Sequence, residues 1–151
     1  MSEMLNDLPV AEAHCDGPCG VYDPASARIA AEAVVSMTKK MLAIEHPEGH
    51  GDAQAMASYH NTMGRYVSIK EEQAHLCKNE LLVLWTDYFK PVHLEQYPEL
   101  HDTFWKAAKL CSAVKVECST QHCDELMAAI KSIHEMFWAT KGRDVAWYTA
   151  S

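Results

Sequence analysis

The chain has 151 residues, 48% of them hydrophobic, which is one domain's worth of sequence with enough apolar surface for a sizeable core. A formal net charge of −8, with no basic cluster longer than Lys39-Lys40, argues against nucleic acid or an anionic membrane as partner and points to a small one. The longest apolar stretches, such as Leu81 to Trp85, fall far short of the roughly 20 residues that a bilayer span needs, so a soluble protein is expected.

Residues 1–13 read MSEMLNDLPVAEA, with no basic residue and no long apolar core, and so fail as a secretory or transit signal. Yet Ala11-Glu12-Ala13 has the small-residue spacing of a cleavage site. Either the segment is a frayed terminus, or it is a short leader whose removal leaves His14 as the new amino terminus. Directly after it, His14-Cys15-Asp16-Gly17-Pro18-Cys19-Gly20-Val21-Tyr22 packs an imidazole and two thiols around a Gly-Pro turn. Cysteines at that spacing cannot both point from one regular strand, whereas such a turn folds the chain back and converges both sulfurs on one ion. Residues 14–22 therefore read as a metal hook with one nitrogen and two sulfur side-chain donors.

Next, Asp23 offers a helix cap and Pro24 suits a first helical position, and the stripe Ile29, Ala33, Met37, Met41, Ile44 predicts a first helix of about five turns. Pro47, Gly49 and Gly51 break it, and Asp52 can cap the helix after the break. Met56, Tyr59, Met63, Val67, Ala74, Cys77, Leu81, Leu84 and Tyr88 keep near-helical spacing with no internal proline, so a long second helix is expected to end at Lys90-Pro91. An irregular segment through His93 and Tyr97-Pro98 leads to a third helix carrying Leu100, Phe104, Ala107, Cys111 and Val114. Cys118 to His122 reads as a loop. A fourth helix carries Cys123, Met127, Ile130, His134 and Phe137 and ends before Gly142, leaving a short tail with Trp147 and Tyr148. Four amphipathic helices, short polar turns and no strand pattern predict an all-α fold, an antiparallel up-down-up-down four-helix bundle over residues 23–151 with the hook at its amino end.

The six cysteines do not require a disulfide framework. Cys77 and Cys111 lie on apolar helical stripes, where a free thiol acts as a small hydrophobe. Cys118 and Cys123 lack further ligands at metal spacing, and a reducing cytoplasm suits all six. His46, His50 and His60, in and beside a glycine-rich loop, read as solvated, and His75, His93, His101 and His134 as surface or satisfied core residues.

HCDGPCGVYDP, followed by helices carrying LWTDYFKP and QYPELH, closely resembles the nickel superoxide dismutase family from His14 to about Lys141. The resemblance implies a homohexamer of right-handed four-helix bundles, each with one nickel ion in its hook. It implies disproportionation of superoxide to dioxygen and hydrogen peroxide by cycling between Ni(II) and Ni(III). By position, the ligands are the free α-amine and imidazole of His14, the backbone nitrogen and thiolate of Cys15, and the thiolate of Cys19. Thiolates and a deprotonated amide donate strongly enough to stabilise the trivalent ion. The amine exists only once Ala13 is cut away, so a leader-processing peptidase is an implied partner. The resemblance further implies a cis bond before Pro18 and a gatekeeping role for Tyr22, with Asp16 close by and Tyr88 packed behind it. His14, Cys15, Cys19 and Tyr22 are thus the expected catalytic set. Lys90 is the candidate for a local positive field that draws an anion to an acidic protein.

One departure stands out. The family places a glutamate, bonded to the metal-ligating imidazole, at the position of Ala30, and an arginine at the position of Gln73; this chain has neither. Orientation of the His14 ring then falls to a water or a backbone carbonyl, and a looser axial bond is expected. Three other readings compete with a dismutase. A non-catalytic nickel- or copper-binding module would hold metal without consuming superoxide. A structural zinc site would need a fourth ligand, and no second Cys/His pair lies at finger or ribbon spacing. Dithiol redox chemistry would call for two residues, not three, between Cys15 and Cys19.

Overall fold

The computed structural model describes residues 20–49 and 52–150. Four α-helices carry them: α1 (Ala25–Ala43), α2 (Ala53–Val83), α3 (Leu100–Val116) and α4 (Thr120–Thr140). Each starts or stops where its local chemistry dictates. Asp23 Oδ1 accepts the Ala25 N–H at 2.8 Å, and Asp52 Oδ1 accepts the Ala55 N–H at 2.7 Å, so orphan donors at both helix starts are satisfied. Ser119 Oγ accepts from the His122 N–H at 3.2 Å, which starts α4 three residues before the expected Cys123. The shift has a plain cause, since Ser119 is a strong cap and the apolar stripe marks only where burial begins. α4 closes with Gly142 at φ +64° in a Schellman turn, with the Gly142 N–H on the Ala139 carbonyl and the Arg143 N–H on that of Trp138, both at 2.9 Å.

The principal helix contacts run α1 to α2, α2 to α3, α3 to α4 and α4 back to α1, the square of an antiparallel four-helix bundle, as expected. The core gathers Leu81, Phe104, Leu126, Ile130, Ile133 and Phe137, all essentially solvent-free. The face of α1 differs from the predicted stripe. Ile29 is 59% exposed, and the buried face is instead Ala27, Ala30, Ala31, Val34 and Met37. A stripe stepped mostly by four residues drifts around a helix of 3.6 residues per turn, and the small alanines are what let α1 approach its neighbours closely.

α2 does not run uniformly to Lys90. Leu84–Tyr88 widens into a π-helical turn, with the Phe89 N–H bonded to the Leu84 carbonyl at 3.4 Å, and Pro91–Glu95 forms a 3₁₀ turn led by its proline. Beyond α4, the tail crosses α1 and α4. The Val145 carbonyl accepts from His134 Nε2 at 2.7 Å, Trp147 packs on the His134 ring, and the Ala150 N–H donates to Glu32 at 2.7 Å. Glu32 pairs with Arg28, whose guanidinium lies 4.5 Å from the Tyr148 ring centre. His134, expected to be either a surface or a satisfied core histidine, is the latter.

Lys70 is buried, and its ammonium donates to the carbonyls of Val114 at 2.7 Å, Lys115 at 3.0 Å and Glu117 at 3.1 Å. A cation from α2 thus closes the carboxyl end of α3, where the helix dipole favours positive charge. Lys70→Met should lower stability by about 2 kcal/mol, a typical loss for charge-assisted bonds to partly buried acceptors. Urea unfolding checks this; an unchanged midpoint would mean that water serves those carbonyls equally well.

Candidate metal centre

His14, Cys15, Asp16, Pro18 and Cys19 lie outside the described residues, as does the bond before Pro18. What the structure shows is where the hook enters the bundle. Gly20, at φ +86°, holds a left-handed backbone that glycine adopts without strain, and it turns the chain toward α1. Val21 is exposed, while Tyr22 is partly buried against the core.

Tyr22 packs on Tyr88, ring centres 5.8 Å apart at 54°, as the family resemblance implies. Tyr88 is itself fixed from several sides. Its ring lies 4.5 Å from Phe137 and 5.0 Å from Phe89, with His93 stacked at 5.9 Å and the Lys141 ammonium 5.2 Å away. Its hydroxyl is 2.7 Å from Thr140 Oγ1, which donates its own proton to the Phe137 carbonyl at 2.7 Å. With that proton committed, Tyr88 must be the donor of the pair. The π-helical turn aims Tyr88 this way, and π turns recur at functional sites.

Beside Tyr22, a cleft of about 190 Å³ is lined by Val21, Asp23, Ser26, Glu80 and Leu84 among others. Ser26 Oγ donates to Glu80 Oε2 at 2.6 Å, joining α1 to α2 at the hook's exit. Sequence reasoning missed Glu80, Ser26, Phe137 and Thr140 as neighbours of this site. Residues 54 and 52 positions apart carry no local signal of their pairing.

Ala30 is buried in the apolar cluster and Gln73 is partly buried on α2, so neither position brings a charge to α1. Lys90 is exposed just after the turn that carries Tyr88, and its N–H donates to His93 Nδ1 at 3.1 Å. Among the described residues no group of three or more His, Cys, Asp or Glu side chains is arranged to hold a metal ion. The donors that the sequence offers are an imidazole and two thiols within six residues, and borderline-soft nitrogen and thiolate donors suit nickel or copper well.

The chain matches a family model described as nickel-containing superoxide dismutase over residues 9–141, a span that includes the whole hook. A superoxide dismutase [Ni] of Streptomyces seoulensis is 43% identical over 141 residues, covering 93% of this chain and 98% of its own. One of Streptomyces coelicolor is 39% identical over the same shares. Among solved structures, a native nickel superoxide dismutase is 41% identical with a TM-score of 0.71, over 85% of this chain and 99% of its own. A nickel-containing superoxide dismutase with ligation corresponding to the oxidised state is 42% identical with a TM-score of 0.72, over 86% and 100%.

Proposed function

The chain belongs to the nickel-containing superoxide dismutase family, and we propose that its catalytic centre is the hook of residues 14–22, matured by removal of residues 1–13. Its activity is the nickel-dependent disproportionation of superoxide to dioxygen and hydrogen peroxide. The observation that carries the proposed site is that the donor set His14, Cys15 and Cys19 falls inside the matched span, immediately ahead of a Tyr22 that is packed in place on Tyr88.

In this reading the α-amine and imidazole of His14, the backbone nitrogen and thiolate of Cys15 and the thiolate of Cys19 hold the ion. Nickel bound there supplies one-electron redox chemistry within superoxide's range. The chain's own residues do the rest. Cleavage at Ala13 converts an amide nitrogen into an amine able to bind metal, so a processing peptidase acts before the enzyme works. Tyr22, fixed by Tyr88, limits approach to small anions and brings a phenol to a reaction that consumes two protons per peroxide. Asp16 follows Cys15 directly in the sequence, and Lys90 contributes positive field from an exposed position.

The leader is supported by the small-residue spacing of Ala11-Glu12-Ala13 directly ahead of His14. We place the mature protein in the cytoplasm, where thiolate donors stay reduced, and assemble it as a homohexamer. Intact and native mass with metal analysis, on protein matured in its own host, tests the whole reading. The expected species begins at His14, carries one nickel per chain and assembles as six copies. Full turnover by a chain that keeps residues 1–13 would overturn the amine donor and the leader together.

A further inference from the structure

We propose that Cys77 and Cys111 form a dithiol that hydrogen peroxide oxidises to a disulfide tying α2 to α3. Their sulfurs lie 3.6 Å apart across the α2–α3 interface, both fully buried and both outside the proposed metal site. Closing to a disulfide, with its S–S bond of about 2.05 Å, needs a shift of about 1.5 Å. The other described cysteines lack this arrangement. Cys118 is exposed, and the Cys123 thiol faces the Thr38 hydroxyl at 3.6 Å.

The chemistry around the pair is asymmetric. The hydrogen bond shared with Cys111, then burial, push the Cys77 thiol up, whereas the same bond lowers the Cys111 thiol against its own burial, with the ammonium of Lys78 also favouring charge on Cys111. Lys78 Nζ is held at the α2–α3 seam by Ser112 Oγ at 3.2 Å, next in sequence to Cys111. The Lys78 ammonium held at the seam beside Cys111 favours attack by that sulfur, with Cys77 as the resolving thiol. The Cys111 thiolate attacks one peroxide oxygen, the O–O bond breaks, and the departing hydroxide takes up the proton that the Cys111 thiol released and leaves as water, giving a sulfenic acid on Cys111. The Cys77 sulfur then attacks the Cys111 sulfur, the S–O bond breaks, and a second water leaves with the Cys77 proton. Two thiols are oxidised and one peroxide becomes two waters.

The oxidant is the product of the enzyme's own reaction, so that supply rests on the dismutase activity. Burial makes each event slow, because peroxide must enter through local opening of the α2–α3 seam. The pair thus records accumulated peroxide instead of competing with turnover. Once formed, the bond cross-links the two helices and raises the resistance of the bundle to unfolding.

The test uses nickel-loaded protein in two arms, reagent hydrogen peroxide and a sustained superoxide flux with and without catalase. Each is followed by alkylation and non-reducing peptide mapping. The expected result in both arms is a Cys77–Cys111 linked peptide, with an intact-mass loss of about 2 Da for the two hydrogens removed, abolished by catalase in the flux arm. Cys111→Ala should give no link and leave Cys77 alkylatable, although the wild-type map decides the matter even if that variant folds poorly. Linkage by reagent peroxide but not by flux would overturn the enzyme as the source of oxidant. Recovery of both residues as free thiols in both arms would overturn the proposal entirely, whatever the dismutase activity measured alongside.

Discussion

Replacing Cys15 and Cys19 together by serine is expected to remove nickel binding and superoxide turnover while the four-helix bundle stays folded. A serine hydroxyl does not ionise near neutral pH, so the change exchanges two soft anionic donors for two neutral hard ones. Loss of outer partners of metal ligands already costs 10- to 100-fold, so removing two ligands should lower activity by roughly 10³-fold or more. The bundle should not notice, because its apolar cluster begins at Ala27 and draws on α1 to α4. Metal content, stopped-flow decay of superoxide and far-ultraviolet circular dichroism read the three parts separately. A variant that retains one nickel per chain would place the ion elsewhere and sink the hook as its site.

Phe137→Ala is the second large effect, and it strikes the fold and the site together. Phe137 is fully buried, and it packs 4.5 Å from Tyr88 and 6.5 Å from Phe89. Truncating such a side chain leaves a cavity that a well-packed bundle only partly refills, at about 3–5 kcal/mol. For a chain of this size that is a fall of roughly 10 °C in Tm. Because Phe137 is also the wall behind Tyr88, and Tyr88 holds Tyr22, the variant should loosen the ring at the hook's exit. Activity measured well below the new Tm should therefore fall as well. Phe137→Leu, which keeps most of the volume, should recover most of both losses. Unchanged activity in a destabilised Phe137→Ala protein would show that Tyr22 does not depend on this wall.

Three aromatic rings in contact thus link the hook to the centre of the bundle, and each is held by a different kind of force. Phe137 contributes burial, Tyr88 a hydrogen bond to Thr140, and Tyr22 a tilted ring contact at the edge of the core. The same region explains why the π turn at Leu84–Tyr88 exists in a helix that hydropathy alone reads as continuous. Periodicity registers which residues are apolar, but not the extra residue per turn that rotates Tyr88 toward Tyr22.

The helix starts were legible because capping is local. Asp23 and Asp52 sit two or three residues from the N–H groups they satisfy, and any reader of the chain can place them. The face of α1 was not legible to the same degree. Ile29 looks like a core residue by type and is exposed, while the plain alanines at 27, 30 and 31 lie at the interface, since how closely two helices approach is a property of the pair. Lys70, a lysine in the middle of α2, carries no sign in sequence that three carbonyls at the end of α3 await it.

By itself the sequence determined the bundle, and it offered His14, Cys15 and Cys19 as candidate donors behind a leader-like segment. Six contiguous residues can specify a ligand chemistry without reference to the rest of the chain. Only the tertiary structure decided that Ser26 meets Glu80, that Lys70 closes α3 and that Cys77 faces Cys111. Each of those pairs spans dozens of residues, and its geometry follows from the register in which packed helices settle, which the period of an apolar stripe does not encode.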